Sequence, residues 1–123
     1  YDLASYLYDP YVTPLEDEKR AALVRAYEKR AGREGLDKVV PFAAVQRLVQ
    51  CLGAYGRLES VGQPQFGKWV MPALQNLLAA ADEAGLDAVG ALAEDLIAAE
   101  SNRSAKRGKC SCGHDHEGDC GES

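Results

Sequence analysis

Five side chains that bind soft or borderline metal ions occur within eleven residues: Cys110, Cys112, His114, His116 and Cys120. Zinc is bound by four such thiolate and imidazole groups in a tetrahedron. Gly113 and Gly118 would allow this short segment to fold around an ion, and its acidic residues would favour a divalent cation. The pattern predicts a zinc site, with copper(I), nickel and cobalt as alternatives because ligand type alone does not select the metal.

The same segment also fits a flexible hydrophilic tail that binds metal only opportunistically. Ordinary zinc fingers pair cysteines two to four residues apart and histidines three to five apart. Here single residues separate the ligands of each pair. The segment is loosely similar to the small zinc-binding tail of the bacterial preprotein translocase ATPase. A terminal segment offers no enclosed cavity around an open coordination position, so we expect no catalytic metal.

The overall composition indicates one globular domain with no nucleic-acid or membrane partner. The chain has 123 residues, of which 46% are hydrophobic and 27% charged. Its net charge of −5 argues against general nucleic-acid binding, and no apolar run approaches the roughly 20 residues that span a bilayer. Three of the four cysteines cluster within 110–120, which favours a reducing cytoplasm over a disulfide framework.

Residue 1 is a tyrosine, and the single methionine is Met71. We therefore expect either that a segment before Tyr1 has been removed or that this chain is a piece of a longer protein.

Helical periodicity dominates residues 1–102, where no stretch alternates with the period of a strand, and it predicts an all-α fold. A short apolar-rich segment, Asp2–Tyr8, is closed by Asp9-Pro10. The capping box Thr13-Pro14-Leu15-Glu16 predicts a helix that begins at Pro14 and runs to about Ala31, before Gly32 and Gly35. Three apolar residues share one face of this helix: Leu23, Ala26 and Tyr27.

Three further helices are expected. Pro41 is predicted to begin the first, which has four residues at core spacing: Phe42, Val45, Val49 and Leu52. It continues through Gly53 and Gly56, which predict a close neighbouring backbone or a helix end. After a loop over 60–67, Pro72 is predicted to begin a helix that ends at Gly85. Its apolar stripe is Leu74, Leu77, Leu78 and Ala81. The last helix covers roughly 86–102.

The composition changes after residue 102. Residues 103–109 carry four basic side chains, and 110–123 carry four acids and no bases. We expect a helical body over 1–102, a basic linker over 103–109 and a Cys/His-rich tail over 110–123. Linker and tail are both expected to be flexible unless a metal orders the tail.

Three segments occur in an order typical of a known family. They are Tyr1–Val12, then Gln46–Arg57, then Phe66 followed by Met71-Pro72 and the leucines at 74, 77 and 78. Together they resemble the aminoglycoside phosphotransferase and choline kinase-like superfamily, in its bacterial sugar-kinase-like branch, over roughly 1–80. The resemblance implies the helical C-terminal lobe of a protein-kinase-like (α+β) fold. It also implies an enzyme that transfers the γ-phosphate of ATP, with magnesium, to a hydroxyl of a small molecule such as a sugar or an aminoglycoside.

The catalytic groups of that family lie on a His-x-Asp…Asn loop and an Asp-Phe-like motif, both upstream of the segment that Tyr1–Val12 resembles. Neither motif occurs in this sequence, so we expect the chain alone to be inactive. The resemblance implies that Asp2 braces the catalytic loop, although a plain helix N-cap explains an aspartate there as well. Four polar residues are candidates to face the acceptor pocket, or else form the solvated side of their helix: Gln46, Arg47, Gln50 and Arg57.

A second hypothesis from another class is a stand-alone helical module that binds metal or a partner protein. A lobe separated from the rest of its fold exposes apolar surface and tends to associate. A module would be expected to fold cooperatively as a monomer.

Overall fold

Six helical segments make up the part of the chain that the structure describes. A computed structural model describes residues 1–11 and 15–113, with side chains as far as residue 107. The segments are α1 (Asp2–Leu7), α2 (Asp17–Ala31), α3 (Leu36–Ser60), a 3₁₀ helix (Pro64–Trp69), α4 (Val70–Ala84) and α5 (Asp87–Gly113). The described residues contain no strand, so the prediction of an all-α chain is confirmed for them.

Helix α3 is central, because it contacts α1, α2, the 3₁₀ helix and α4, and α4 in turn packs against α5. Fully buried alanines line the α3–α4–α5 contacts: Ala44, Ala73, Ala80 and Ala93. Small side chains let helix backbones approach closely, and larger side chains fill the spaces between them. Leu48 of α3 is the largest completely buried side chain, and Leu77 of α4 belongs to the same core.

Helix α2 differs from the prediction at its start and in its buried face. It begins at Asp17, with Glu16 at the N-cap position, so Glu16 does not complete a capping box. Leu15 packs against the core ahead of the helix, and Thr13 and Pro14 lie outside the described residues. The buried side chain is Val24, whereas Leu23 and Tyr27 are exposed. The predicted end is confirmed, since Gly32 adopts the left-handed conformation after Ala31.

Helix α3 begins five residues before Pro41. Oε1 of Glu28, on α2, accepts the backbone N–H groups of Leu36 (2.9 Å) and Asp37 (3.3 Å). These first-turn donors have no partner within their own helix, so the carboxylate caps α3 from outside. Pro41 is therefore an interior residue, and it lies buried among core side chains.

The buried face of α3 is also not the predicted one. Val40, Ala44, Leu48 and Tyr55 are buried, whereas Phe42 and Val49 are 50% and 52% exposed. Val45 and Leu52 pack at the edge of the core. Gly53 and Gly56 lie inside the helix, and a Cβ at either would meet no described atom within 4 Å. The predicted close backbone is thus absent from the described part of the chain.

Helix α4 follows the predicted pattern more closely. Leu74, Leu77 and Ala81 are buried, and Gly85 ends α4 with φ of 70°. Pro72 lies in the first turn of α4 and not at its first position. The N–H groups of the first turn have no partner within the helix, so the missing N–H of Pro72 costs no hydrogen bond. The loop predicted over 60–67 is instead the end of α3 followed by the 3₁₀ helix.

Helix α5 does not end near residue 102, and residues 103–109 belong to it instead of forming a flexible linker. Arg103 and Arg107 reach back to Glu59 at the end of α3, at 3.2 and 2.8 Å. These contacts explain the continued helix, and hydrogen bonds from Arg107 and Arg103 lower the pKa of Glu59. The α5 backbone includes positions 110 and 112, whereas His114, His116 and Cys120 lie outside the described residues.

The Glu28 cap leads to a first prediction. Glu28→Ala removes the acceptor of two N–H groups and should lower the free energy of unfolding by about 1 kcal/mol. Glu28→Gln keeps an acceptor oxygen, so it should lower the free energy of unfolding by only about 0.3 kcal/mol. Urea unfolding followed by circular dichroism measures both. Equal losses in the two variants would show that the charge, and not the cap, is what matters.

Candidate functional site

A groove lies between α1, the turn that follows it, and one side of α3. We call it the α1–α3 groove. It encloses about 240 Å³. Polar groups on its wall come from Ser5, Asp9, Arg47 and Cys51. Because two helices supply these groups, the groove depends on how α1 docks against α3.

Two hydrogen bonds hold α1 in place, one to α3 and one to α4. The Tyr1 hydroxyl donates to Oε1 of Gln50 at 2.5 Å, which ties the start of α1 to the middle of α3. At the other end, the side-chain amide of Asn76, on α4, donates to the carbonyl of Tyr8 at 3.0 Å. Asp9 then accepts the N–H of Tyr11 at 2.9 Å and shapes the turn at the groove wall.

Arg47 provides the positive charge of the groove. The neighbouring Cys51 and, secondarily, Tyr1 raise the pKa of its guanidinium, which is cationic at any relevant pH. A guanidinium has five donors in a fixed planar fork, so Arg47 is suited to hydroxyl or anionic oxygens of a ligand.

An aromatic cluster lies beside the groove. The Tyr11 ring meets Trp69 edge-on at 4.5 Å and Tyr55 at 6.0 Å. The Tyr55 hydroxyl is buried and has no hydrogen-bond partner among the described residues. Burial, followed by the proximity of Tyr11 and Cys51, raises the pKa of Tyr55. The phenol is therefore held neutral.

The structure separates the predicted site residues into two groups. All four candidates are exposed, but Arg47 lines the α1–α3 groove and Gln50 holds α1 against α3, whereas Gln46 and Arg57 lie outside the groove. Asp2 is the first residue of α1 and is exposed, and Tyr1 occupies the N-cap position. The alternative explanation of Asp2 as the N-cap is therefore wrong.

Sequence reasoning missed Tyr1, Cys51 and Tyr55 at this site. Arg47, Cys51 and Tyr55 are spaced four residues apart, which places them on one side of a helix. That spacing is the signal in the sequence that could have identified this side of α3.

A second polar cluster joins α1, α2 and α4. Nη1 of Arg20 lies 2.7 Å from Oε1 of Glu83, and the Tyr8 hydroxyl donates to Oε2 of the same carboxylate. The guanidinium also stacks over the Tyr8 ring at 4.5 Å. Burial and Glu83 raise the pKa of Tyr8. An open cleft of about 490 Å³ adjoins the cluster, but Arg20, Tyr8 and Glu83 engage one another, which indicates a structural role.

The described residues form neither a metal-binding cluster nor a membrane-spanning helix. No three histidine, cysteine, aspartate or glutamate side chains converge there in a way that would hold a metal ion. The predicted zinc ligands fall beyond the side chains described. None of the described helices combines the length and apolar character needed to cross a bilayer.

Comparison with known proteins gives no match for this chain. No family model fits the sequence, and neither the curated proteins nor the solved structures compared with it contain a similar one.

Proposed function

We propose that this chain is the helical C-terminal part of an ATP-dependent small-molecule phosphotransferase, and that its α1–α3 groove forms part of the pocket for the hydroxyl acceptor. The main support is a contact between two segments that separately resemble the phosphotransferase superfamily. Tyr1 belongs to the first and Gln50 to the second, and their side chains hydrogen-bond although 49 residues separate them. The hydrogen bond lies between the two helices that form the polar groove.

The third segment of the resemblance packs against the same helix. Leu74 and Leu77 are buried side chains of α4, the helix that packs against α3. Phe66 packs at the edge of the core. The first and third segments thus pack against α3, which carries the second, and this supports reading the three as parts of one lobe.

In the proposed reaction, the acceptor hydroxyl oxygen bonds to the γ-phosphorus of ATP while the bond to the bridging oxygen of ADP breaks and the hydroxyl proton passes to a base. The base, the magnesium ligands and the nucleotide site belong to upstream segments of the parent enzyme. The residues of this chain orient the acceptor. Arg47 donates to its oxygen atoms, and the Tyr1–Gln50 bond holds the groove wall in place. Positioning of this kind contributes strongly to phosphoryl transfer.

The test uses the complete polypeptide encoded by the reading frame that contains this chain, with ATP and a panel of sugars and amino alcohols. Arg47→Ala should lower kcat/KM by about tenfold or more, because a charge-assisted hydrogen bond to the acceptor is lost. Arg57→Ala, on the same helix but outside the groove, is the matched control and should change it little. Absence of ATP-dependent phosphorylation across the panel, or equal losses in both variants, would contradict the proposal.

For the tail, we propose a zinc ion bound by ligands from the set Cys110, Cys112, His114, His116 and Cys120. Replacing both Cys110 and Cys112 by serine should abolish the one zinc per chain measured by mass spectrometry in reducing buffer. Cys51→Ser is the control and should retain the metal, since Cys51 lies in α3. Unchanged zinc in the double variant would exclude a site that uses these thiols. A cytoplasmic location and the absence of nucleic-acid partners remain predictions.

The alternative of a stand-alone helical module is favoured by one observation. A single cluster of buried side chains runs continuously from α1 to α5, so the described helices share one core. A sharp two-state melt of the 123-residue chain as a monomer would support this alternative. Marginal solubility or aggregation without a defined stoichiometry would favour the lobe.

A further inference from the structure

The side of α3 that faces away from the core is apolar toward its N-terminal end and has a glycine, Gly53, toward its C-terminal end. We call this surface, formed by Val39, Phe42, Gln46, Val49, Gly53 and Arg57, the open face of α3. These residues recur every three or four positions, so they form one stripe along the helix. Val39, Phe42 and Val49 are at least half exposed, and no described atom lies within 4 Å of a Cβ built at Gly53.

The two halves of this stripe have opposite shapes. The N-terminal half carries Val39 and Phe42, whereas the C-terminal half has Gly53 where a side chain would otherwise project. A glycine in a helix interior costs about 1 kcal/mol relative to alanine, and nothing in the described chain compensates that cost. A helix that approached closely at Gly53 and placed a bulky side chain there would compensate the cost of this glycine.

The ends of the stripe also differ in charge. Glu34 lies just before the start of α3 and Arg57 lies in its last turn, and neither has an ion-pair partner among the described residues. If a second α3 runs antiparallel with Gln46 at the two-fold axis, Val39 lies level with Gly53 of the other copy. Arg57 then lies level with position 35, next to Glu34 of that copy.

From this complementarity we propose that the open face of α3 binds a second copy of this chain in an antiparallel, two-fold symmetric contact. Val39 of each copy fills the space at Gly53 of the other, and Arg57 pairs with Glu34 across both ends. At the axis, the Gln46 carboxamides can each donate to and accept from the other, because an amide side chain has both functions. A central polar pair of this kind fixes the register of a helix pair. In a symmetric dimer the same patch must fit itself, as this stripe does.

The proposal is independent of the phosphotransferase assignment, and it is tested on the full 123-residue chain by sedimentation equilibrium over a wide range of concentration. A reversible dimer is expected. Gly53→Leu fills the space that Val39 of the other copy would occupy, and it should weaken the dimer at least tenfold while leaving the helical circular dichroism intact. Arg57→Glu should also weaken it, because it places two carboxylates together at each end.

The charge swap is the decisive variant. Glu34→Arg combined with Arg57→Glu restores opposite charges across the interface and should recover most of the lost affinity. Lys106→Glu, an exposed basic residue on α5, is the control and should leave the dimer unchanged. A chain that stays monomeric at every concentration would overturn the proposal and point to another polypeptide segment as the occupant of this face. A dimer that tolerates Gly53→Leu and Arg57→Glu would overturn it as well.

Discussion

Replacing Leu48 by alanine is expected to lower the free energy of unfolding by about 3 kcal/mol. Leu48 is 1% exposed and lies on the face of α3 that packs against the other helices. The truncation removes buried apolar contacts and leaves a cavity that a tightly packed core fills only in part. For a domain with ordinary marginal stability, this is a large fraction of the total.

The adjacent residue provides the matched control. Val49 is 52% exposed, so Val49→Ala should change the free energy of unfolding by no more than about 0.5 kcal/mol. Urea unfolding at low protein concentration, where the chain is monomeric, gives both values. A larger loss in the Val49 variant than in the Leu48 variant would mean that the other face of α3 is buried, as the sequence pattern had predicted.

The second large effect is a loss of stability in alkaline solution. Tyr8 and Tyr55 are both buried, and burial raises the pKa of each phenol well above its ordinary value of 10. Above pH 10, the unfolded chain loses these protons while the folded chain retains them. The unfolded state then binds fewer protons, so the free energy of unfolding falls as pH rises. The loss approaches about 1.4 kcal/mol per pH unit for each tyrosine, and below pH 10 it is absent.

Tyr55→Phe isolates this effect. The Tyr55 hydroxyl has no hydrogen-bond partner among the described residues, so its removal should cost little at neutral pH. Above pH 10 the variant should lose stability about half as steeply as the unmodified chain. Tyr27→Phe, at an exposed position on α2, should leave the slope unchanged. An unaltered alkaline slope in Tyr55→Phe would show that this phenol ionises freely in the folded state.

Local signals predicted the ends of helices better than their beginnings. Gly32 and Gly85 end α2 and α4 because each adopts a positive φ that other residues avoid, and this preference is a property of the residue itself. The start of α3 depends on Glu28, which lies on another helix, and no pattern near Pro41 records that contact. The continuation of α5 likewise depends on Glu59, which belongs to α3.

The buried faces of α2 and α3 show a second limit of sequence reasoning. Leu23 and Tyr27 recur at helical spacing, and so do Phe42 and Val49, yet these residues lie on exposed faces. Periodicity shows that a helix has an apolar stripe but does not say whether a neighbour covers it. On α2, the inward side carries Arg20. Its guanidinium forms an ion pair with the Glu83 carboxylate and packs over the Tyr8 ring.

At the candidate site, the residue types in one segment pointed to Arg47 and Gln50. The structure places Arg47 on the groove wall and Gln50 in a hydrogen bond with Tyr1, and their role toward an acceptor stays a prediction. The contribution of α1 required knowledge of how two distant segments dock. Gln46 and Arg57 share the polar character of the groove residues, but the rotation of α3 places them on its open face.

The most direct test of the central proposal is to sequence the coding DNA immediately upstream of Tyr1. A parent phosphotransferase must supply its base, its metal ligands and its nucleotide site from that region. The expected result is an in-frame His-x-Asp…Asn loop followed by an Asp-Phe-like motif within a few tens of codons. A start codon directly before Tyr1, or an unrelated upstream sequence, would contradict the phosphotransferase assignment and leave the helical module as the better description.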